Sequence, residues 1–474
     1  MKKQLYLDFI KTLLPDGEFE AFKASYQQRI PKSIKLISQK AKKSDLLAYF
    51  SSQSRTLTPP DLSHDQTFYD DVLYVSKEEK SSLGSHFLHQ GGFFYVQEVA
   101  AGLSAQILNP QAGDLVLDLC AAPGGKSLQL ADVLLSQGAG FVLANEPLSP
   151  RRKALIFNLN RCGLHNTGIL AYRGEQVGDF VPESFDKVLV DAPCSGEGMN
   201  YKHDKNTRYR DAKTAQQFAQ LQLQILISGL KALKVGGELV YSTCTLNPLE
   251  NEGVISQILK LFPEQIELLP VPIDQKSPGL TDYLGQELLS EQQACKLARF
   301  WPHIQHTGGF FIAKLRKLAP LPYTPQRDQR KQEQSGLQVS SQLQDQVRTF
   351  LNEQWGMQRD EKLTFVASDS AIYLTSSERK KLPSQLFIEK IGIPLFKIGF
   401  KGEWIPQQGL ATCLGDNAVL NTYEITDEQA QKLSDKLDLQ EKRGADGQFL
   451  ILQRKGHGFA LVKQVGEILK NKMG

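Results

Sequence analysis

Cysteine is scarce in this chain of 474 residues: six are scattered at positions 120, 162, 194, 244, 295 and 413. No CxxC pair occurs, and no Cys/His cluster has the spacing of a zinc site. A disulfide framework and a structural zinc module are excluded, and no bound metal is expected. Long apolar runs are missing too. No window of about 18 apolar residues exists, so no membrane span is expected. The N-terminus, MKKQLYLDFIKTLLPDG, opens like a secretory signal, but Asp8 and Lys11 interrupt its apolar stretch. A cytoplasmic protein is the expectation. Net charge is only +3, so any surface for nucleic acid has to be a local patch. The chain has no internal repeat, no GxGxxG fingerprint and no P-loop.

A hydrophobic content of 41% and a charged content of 23% suit a soluble globular chain of roughly three domains. Residues 1–105 open with helical spacing (Leu5, Phe9, Leu13, then Phe19 and Phe22). The stretch RIPKSIKLISQKAKK, Arg29 to Lys43, follows with six basic residues and no acidic one. It reads equally as a solvated face or as a phosphate-binding patch. Over 106–316, Val- and Leu-rich runs alternate with helical segments. The strands are DLVLDLC (114–120), GFVLANE (140–146), TGILAYR (167–173), DKVLVDAP (186–193), GELVYSTCT (237–245) and GGFFIAKL (308–315). Near-continuous apolar strands mean a sheet buried on both faces. The expected fold is therefore α/β, a doubly wound, mostly parallel, Rossmann-like sheet, preceded by a small N-terminal α+β domain. Residues 317–339 are polar and proline-bearing and read as a linker. Residues 340–474 form a C-terminal region in which 386–424 reads as short strands joined by turns.

DLVLDLCAAPGGKS is a strand, a turn of small residues and a helix. Gly124 and Gly125 let a ligand approach the backbone at a helix N-terminus. Glu146 ends the next strand, 21 residues after Gly125, where doubly wound folds place an acid on a ribose hydroxyl pair. NAD and S-adenosyl-L-methionine both satisfy that. Cys194, in DAPCSGEGM, and Cys244, in YSTCTLNPLENEG, each follow a buried strand. Alone, either would read as a small buried residue; two at neighbouring strand ends point to chemistry. Asn247, Pro248 and Glu250 read as the cap, first residue and reciprocal cap of a helix aimed at Cys244.

DLCAAPGGKS, NEP, DAPCSGEGM and YSTCTLNPLENEG, in this order, resemble the RNA 5-methylcytosine methyltransferases with two active-site cysteines. HQGGFFYVQEVAA (89–101) and RFWPHIQHTGGFFIAKL (299–315) extend the likeness to about 85–316. Length and tail resemble the RsmF type, whose members modify 16S ribosomal RNA and carry a C-terminal PUA-like RNA-binding module. The resemblance implies S-adenosyl-L-methionine held by Cys120, Ala121, Ala122, Pro123, Gly124, Gly125 and Lys126, with Glu146 on the ribose. It places Asp191 beside methyl donor and base, makes Cys244 the nucleophile, and gives Cys194 the release step; Lys126 would add charge near Cys244 if the turn after the first strand reaches that far. It implies RNA-binding roles for the N- and C-terminal regions, and a monomer. Two departures stand out. Arg173 replaces an acid that many members place on the adenine side, with Glu175 two residues on. NYKHDK replaces the frequent FRKDP, matching at Lys202 but not at Tyr201 or His203.

The chemistry explains the set. Cytosine C5 is a poor nucleophile until a thiolate adds to C6. A thiol of pKa roughly 8.5 needs help to ionise. A base in a duplex must also flip out to be reached, and Phe93, Phe94, Tyr95 and Tyr201 are candidates either to stack on it or to pack against the sheet. Rival readings are a transfer-RNA methyltransferase with the same core, a DNA cytosine methyltransferase, a hydride-transfer enzyme and a non-catalytic RNA-binding protein. The second cysteine argues against the DNA and hydride readings. The intact set Lys126, Asp191, Cys194 and Cys244 argues against the last.

Overall fold

The near-continuous apolar runs become a sheet closed off from water on both sides. The structure, a computed structural model, describes residues 2–25, 30–40, 42–60, 71–76, 82–202, 207, 209–324, 326, 339–361 and 363–473, with backbone alone at 201 and 202. The central strands are β1 (Leu115–Asp118), β2 (Phe141–Asn145), β3 (Thr167–Leu170), β4 (Phe185–Asp191), β5 (Leu233–Thr243), β6 (Ile266–Leu269), β7 (Ala298–Phe300), β8 (Phe310–Lys317) and β9 (Lys390–Ile391). Their spatial order is β6-β8-β5-β4-β1-β2-β3-β9, with β7 paired to β8. The five strands from β5 to β3 are parallel; β6, β7, β8 and β9 are antiparallel to their neighbours. The strand order reverses between β4 and β1, where such sheets bind their ligands.

Alternation along each strand sorts the core. Leu117, Leu143, Val188, Val190 and Tyr241 face one side, with α4 (Ala212–Ala232) and α5 (Glu252–Leu261). Val116, Val142, Leu189 and Val240 face the other, with α1 (Val99–Leu108), α2 (Gly125–Ser136) and α3 (Ser149–Arg161). This is the doubly wound fold expected from the sequence.

The flanking regions depart from the sequence reading. The N-terminal helices, Lys2–Lys11 and Asp16–Ser25, and the turn between them bury Tyr6, Ile10, Leu13 and Phe22 and leave Leu5 exposed. Their partners are Leu246 and Trp301, so these helices brace the loop that follows Cys244. The four-stranded sheet of residues 32–96 shares a core with residues 425–469 of the C-terminal region. The basic stretch is partly structural. Lys35 is buried on Asp132 (2.9 Å) and Asp71 (2.5 Å), and Lys40 is buried on the carbonyls of Thr412 and Gly458. Lys32 and Lys42 remain exposed, and Arg29 lies outside the described residues.

The C-terminal region is not a detachable tail. β9 extends the central sheet beside β3, and Phe387 N donates to Tyr172 Oη (2.7 Å). Residues 408–414, expected as strand and turn, form the helix Gln408–Leu414, because Leu410, Ala411 and Leu414 meet one apolar cluster at helical spacing.

Candidate active site

β1 ends in Asp118, an acid inside an apolar run. Its buried carboxylate accepts from Ser127 Oγ (2.6 Å) and Cys120 N (3.3 Å), tying the strand end to α2 across the Cys120–Lys126 turn. Burial pushes Asp118 up to about 6. Gly124 sits at φ +111°, and a Cβ on Gly125 would lie 2.9 Å from the Tyr95 ring, so a side chain at either position would distort or fill this cradle. Ala121 N donates to Asn145 O (2.9 Å), and the Ala122 and Pro123 carbonyls accept from Arg151 and Asn158. Glu146, buried at the end of β2, accepts from Leu148 N (2.9 Å) and pairs with Arg151 (3.2 Å).

Burial, and then the charges of Asp118, Asp191 and Glu146, hold the Cys120 thiol well above its ordinary range. Three carboxylates therefore converge on the turn. That donor set fits S-adenosyl-L-methionine, which carries a sulfonium cation and a ribose diol. Arg173, by contrast, is exposed and paired with Glu175 (2.6 Å). Replacing Glu146 with Ala should weaken cofactor binding by about 1.5–3 kcal/mol, the worth of a charged hydrogen-bond partner. Calorimetry on the purified protein measures this, and unchanged affinity would remove Glu146 from the site.

The two cysteines meet. Cys194 Sγ lies 3.4 Å from Cys244 Sγ. Hydrogen bonding to Cys244, then burial, holds the Cys194 thiol well above its ordinary value. Lys126 Nζ sits 2.7 Å from Asp191 Oδ2 and 5.4 Å from the centre of the Phe310 ring. Burial opposes its charge, but Asp191, then Cys244 and Asp118, raise its pKa above the ordinary lysine value. Register explains the other Asp191 contact: Asp191 pairs with Ser242 across β4 and β5, and Ser242 Oγ donates to Asp191 Oδ1 (2.8 Å). The charge of Lys126 thus acts on Cys244, and the Cys194 thiol lies within hydrogen-bonding reach of the same sulfur.

The helix expected at Asn247 begins at Glu252. Asn247–Asn251 is a turn, because Glu250 is not a cap. Its buried carboxylate accepts from Ser195 N (3.0 Å) and Gln222 Nε2 (2.8 Å), and also bonds Ser195 Oγ. Ser195 Oγ bonds Thr245 Oγ1 (2.8 Å), and both hydroxyls reach Glu197. Asn251 Nδ2 donates to Thr245 O (3.1 Å), while Arg299 donates to Glu252 at 2.5 Å from two nitrogens and to Leu246 O (3.0 Å). The ENE triplet thus clamps the neighbours of both cysteines.

Burial, and more weakly the nearby charge of Glu197, push Glu250 up to about 7, against hydrogen bonds from Ser195 and Gln222. A raised carboxyl favours the protonated fold. Stability from this group is full below its unfolded pKa near 4.5 and falls as pH rises towards 7. Glu250→Gln should keep the clamp and flatten that pH dependence. Glu250→Ala should cost about 1–3 kcal/mol for each buried donor left unpaired. Thermal unfolding from pH 5 to 8 checks both.

The profile described as 16S rRNA methyltransferase RsmB/F matches residues 105–316. Ribosomal RNA small subunit methyltransferase F of Erwinia tasmaniensis is 31% identical over 473 residues, covering 98% of this chain and 94% of that one. The chain belongs to the RsmB/F family of 16S rRNA methyltransferases. The enzyme of the same name from Escherichia coli strain SE11 is 30% identical, covering 96% and 91%. Among solved structures, a methyltransferase homologue from Pyrococcus horikoshii is 32% identical with a TM-score of 0.55, covering 64% of this chain and 91% of its own. NSun6 from the same organism, solved with SFG, reaches a TM-score of 0.55 at 22% identity, covering 66% and 97%, and speaks to the fold alone.

Within this RsmB/F family member, the sequence reading missed Asp118, Ser195, Glu197 and Ser242. Asp118 carried a signal, as the lone charge inside the run LVLDL. Phe93 and Phe94 are buried, and both belong to the apolar core; Tyr95 is half-buried against Gly125. The Tyr201 and Lys202 side chains and His203 lie outside the described residues. Among those described, no cluster of metal-ligating side chains occurs and no helix is long and apolar enough to cross a membrane.

Proposed function

We propose that this protein methylates C5 of a cytosine in 16S ribosomal RNA with S-adenosyl-L-methionine, through a covalent bond from Cys244 to C6 that Cys194 helps to resolve. The observation that carries the reading is the pair of sulfurs, 3.4 Å apart, beside the Lys126–Asp191 ion pair. The cofactor is S-adenosyl-L-methionine; residues 120–126 and Glu146 would hold it, and when bound it supplies an electrophilic methyl group.

The chain's own groups do the rest. Lys126 favours the Cys244 thiolate, which adds to C6. Asp191 already accepts hydrogen bonds at both oxygens, so the proton that ring N3 needs is supplied through the Lys126–Asp191 pair, of which Lys126 is the protonated member. C5 gains the electron pair and becomes nucleophilic. After methylation N3 returns its proton to the Lys126–Asp191 pair, the C5 proton leaves to solvent water, the C5=C6 double bond re-forms and the C6–S bond breaks. Cys194 S–H then donates to the emerging thiolate.

Labelled methyl transfer to naked 16S RNA, to the small subunit and to transfer RNA tests the reading, with the product nucleoside identified after digestion. 5-Methylcytosine in 16S RNA, naked or assembled, is the expected result. Label only in transfer RNA would reassign the substrate. Absence of label in every RNA would overturn the reading.

A further inference from the structure

A cavity of about 300 Å³ opens where three parts of the chain meet: residues 90–91, the C-terminal half of α3, and the C-terminal region around Pro394, Lys436 and Lys472. It shares no residue with the cysteine site. Among the described residues none of its lining is acidic, in a chain that carries 52 acidic side chains against 55 basic ones. Three cations line it: Arg161, Lys436 and Lys472.

Arg161 lies beneath the wall. It is 93% buried, at 7% exposure, and its Nη1 donates to the carbonyls of His89 and Phe94. Its Nε and Nη2 are buried with no hydrogen-bond partner among the described residues. No nitrogen of Arg161 therefore opens a donor into the cavity, and its guanidinium contributes positive charge from beneath the wall. Asn160, also in the lining, accepts from Lys390 Nζ (2.6 Å), which leaves its NH₂ as the donating end. The rest of the wall is mixed: Gln90, Gln407, Gln408, Thr412 and Ser434 are polar, while Phe157, 51% exposed, Pro394 and Met473 offer apolar surface. Cations beside an exposed aromatic face suit a phosphate joined to a base.

We propose that this cavity holds one nucleotide of the RNA substrate, its phosphate on Lys436 and Lys472, above the charge of Arg161, and its base against Phe157. The inference rests on the RNA reading above. It adds a second contact point, away from the target cytosine, that exists only when the N-terminal, catalytic and C-terminal parts are docked together.

The test uses the full-length protein and a 16S RNA fragment that the wild type binds, with affinity measured over a salt series. Lys436→Ala/Lys472→Ala should bind about tenfold more weakly, and its salt slope should fall by about 0.7, the share of one neutralised phosphate on single-stranded RNA. Phe157→Ala should also lose about tenfold, from lost stacking, with its slope unchanged. Cofactor affinity in the same samples should stay at the wild-type value, which separates a lost contact from a damaged fold. Wild-type RNA affinity and slope in the double variant would overturn the proposal. Cytidine and adenosine monophosphates are the second probe. If they bind the wild type but not the double variant while RNA affinity is unaltered, the cavity serves a free nucleotide and the RNA assignment falls. Methylation of the same fragment by the wild type reports separately on the substrate reading.

Discussion

Cys194→Ala protein, given RNA and S-adenosyl-L-methionine, should accumulate a protein–RNA adduct that survives denaturing electrophoresis. Cys244→Ala should form none and should lose methylation by at least about 10⁴-fold, on the scale seen when a nucleophile is removed. The asymmetry follows from the environments of two sulfurs that are otherwise alike. The charge of Lys126 acts on Cys244, while burial and its neighbour hold the Cys194 thiol well above its ordinary value, 3.4 Å away. Without Cys194 the attacking thiolate keeps its cation, so the bond to C6 still forms. What is lost is the donor beside the leaving sulfur, so the adduct resolves slowly. The double variant should show no adduct, because the bond-forming thiol is gone. If the adduct appears in Cys244→Ala instead, the roles are exchanged. If neither single variant slows turnover, both thiols are structural.

Much of this site was legible in the sequence, because strand-end positions in a doubly wound sheet are set by local pattern. Glu146, Asp191, Cys194 and Cys244 each follow an apolar run, and the sheet gathers such ends by construction. What stayed hidden depends on pairing between distant segments. Ser242 meets Asp191 only through the β4–β5 register, and Glu250 meets Ser195 across 55 residues. The local signal at Glu250 was that of a helix cap, and tertiary bonding overrode it. The same holds at the periphery. Nothing local shows that Lys35 is buried on Asp132, 97 residues away, or that residues 390–391 complete the central sheet. A basic run and a tail were visible; the partners that turn them into core were not.

Lys126→Met is expected to lower methylation by about 10²-fold or more, typical of losing a preorganised charge in a closed site. It should also move the working pH of the enzyme upward. Lys126 is 12% exposed, so water screens it little, and its charge acts on both Asp191 and Cys244. A cation beside a thiol favours the thiolate. Removing it raises the thiol pKa. The Cys244 thiolate should therefore become scarce near neutrality and recover at higher pH. Two measurements read this: single-turnover methylation against pH, and iodoacetamide alkylation of Cys244 against pH, followed on its own peptide in the Cys194→Ala background. Both profiles should shift upward together, and Lys126→Arg, which keeps the charge, should shift less than Lys126→Met. If activity falls while the alkylation profile stays in place, Lys126 acts only through Asp191 on the base, and the thiolate must owe its stability to another group.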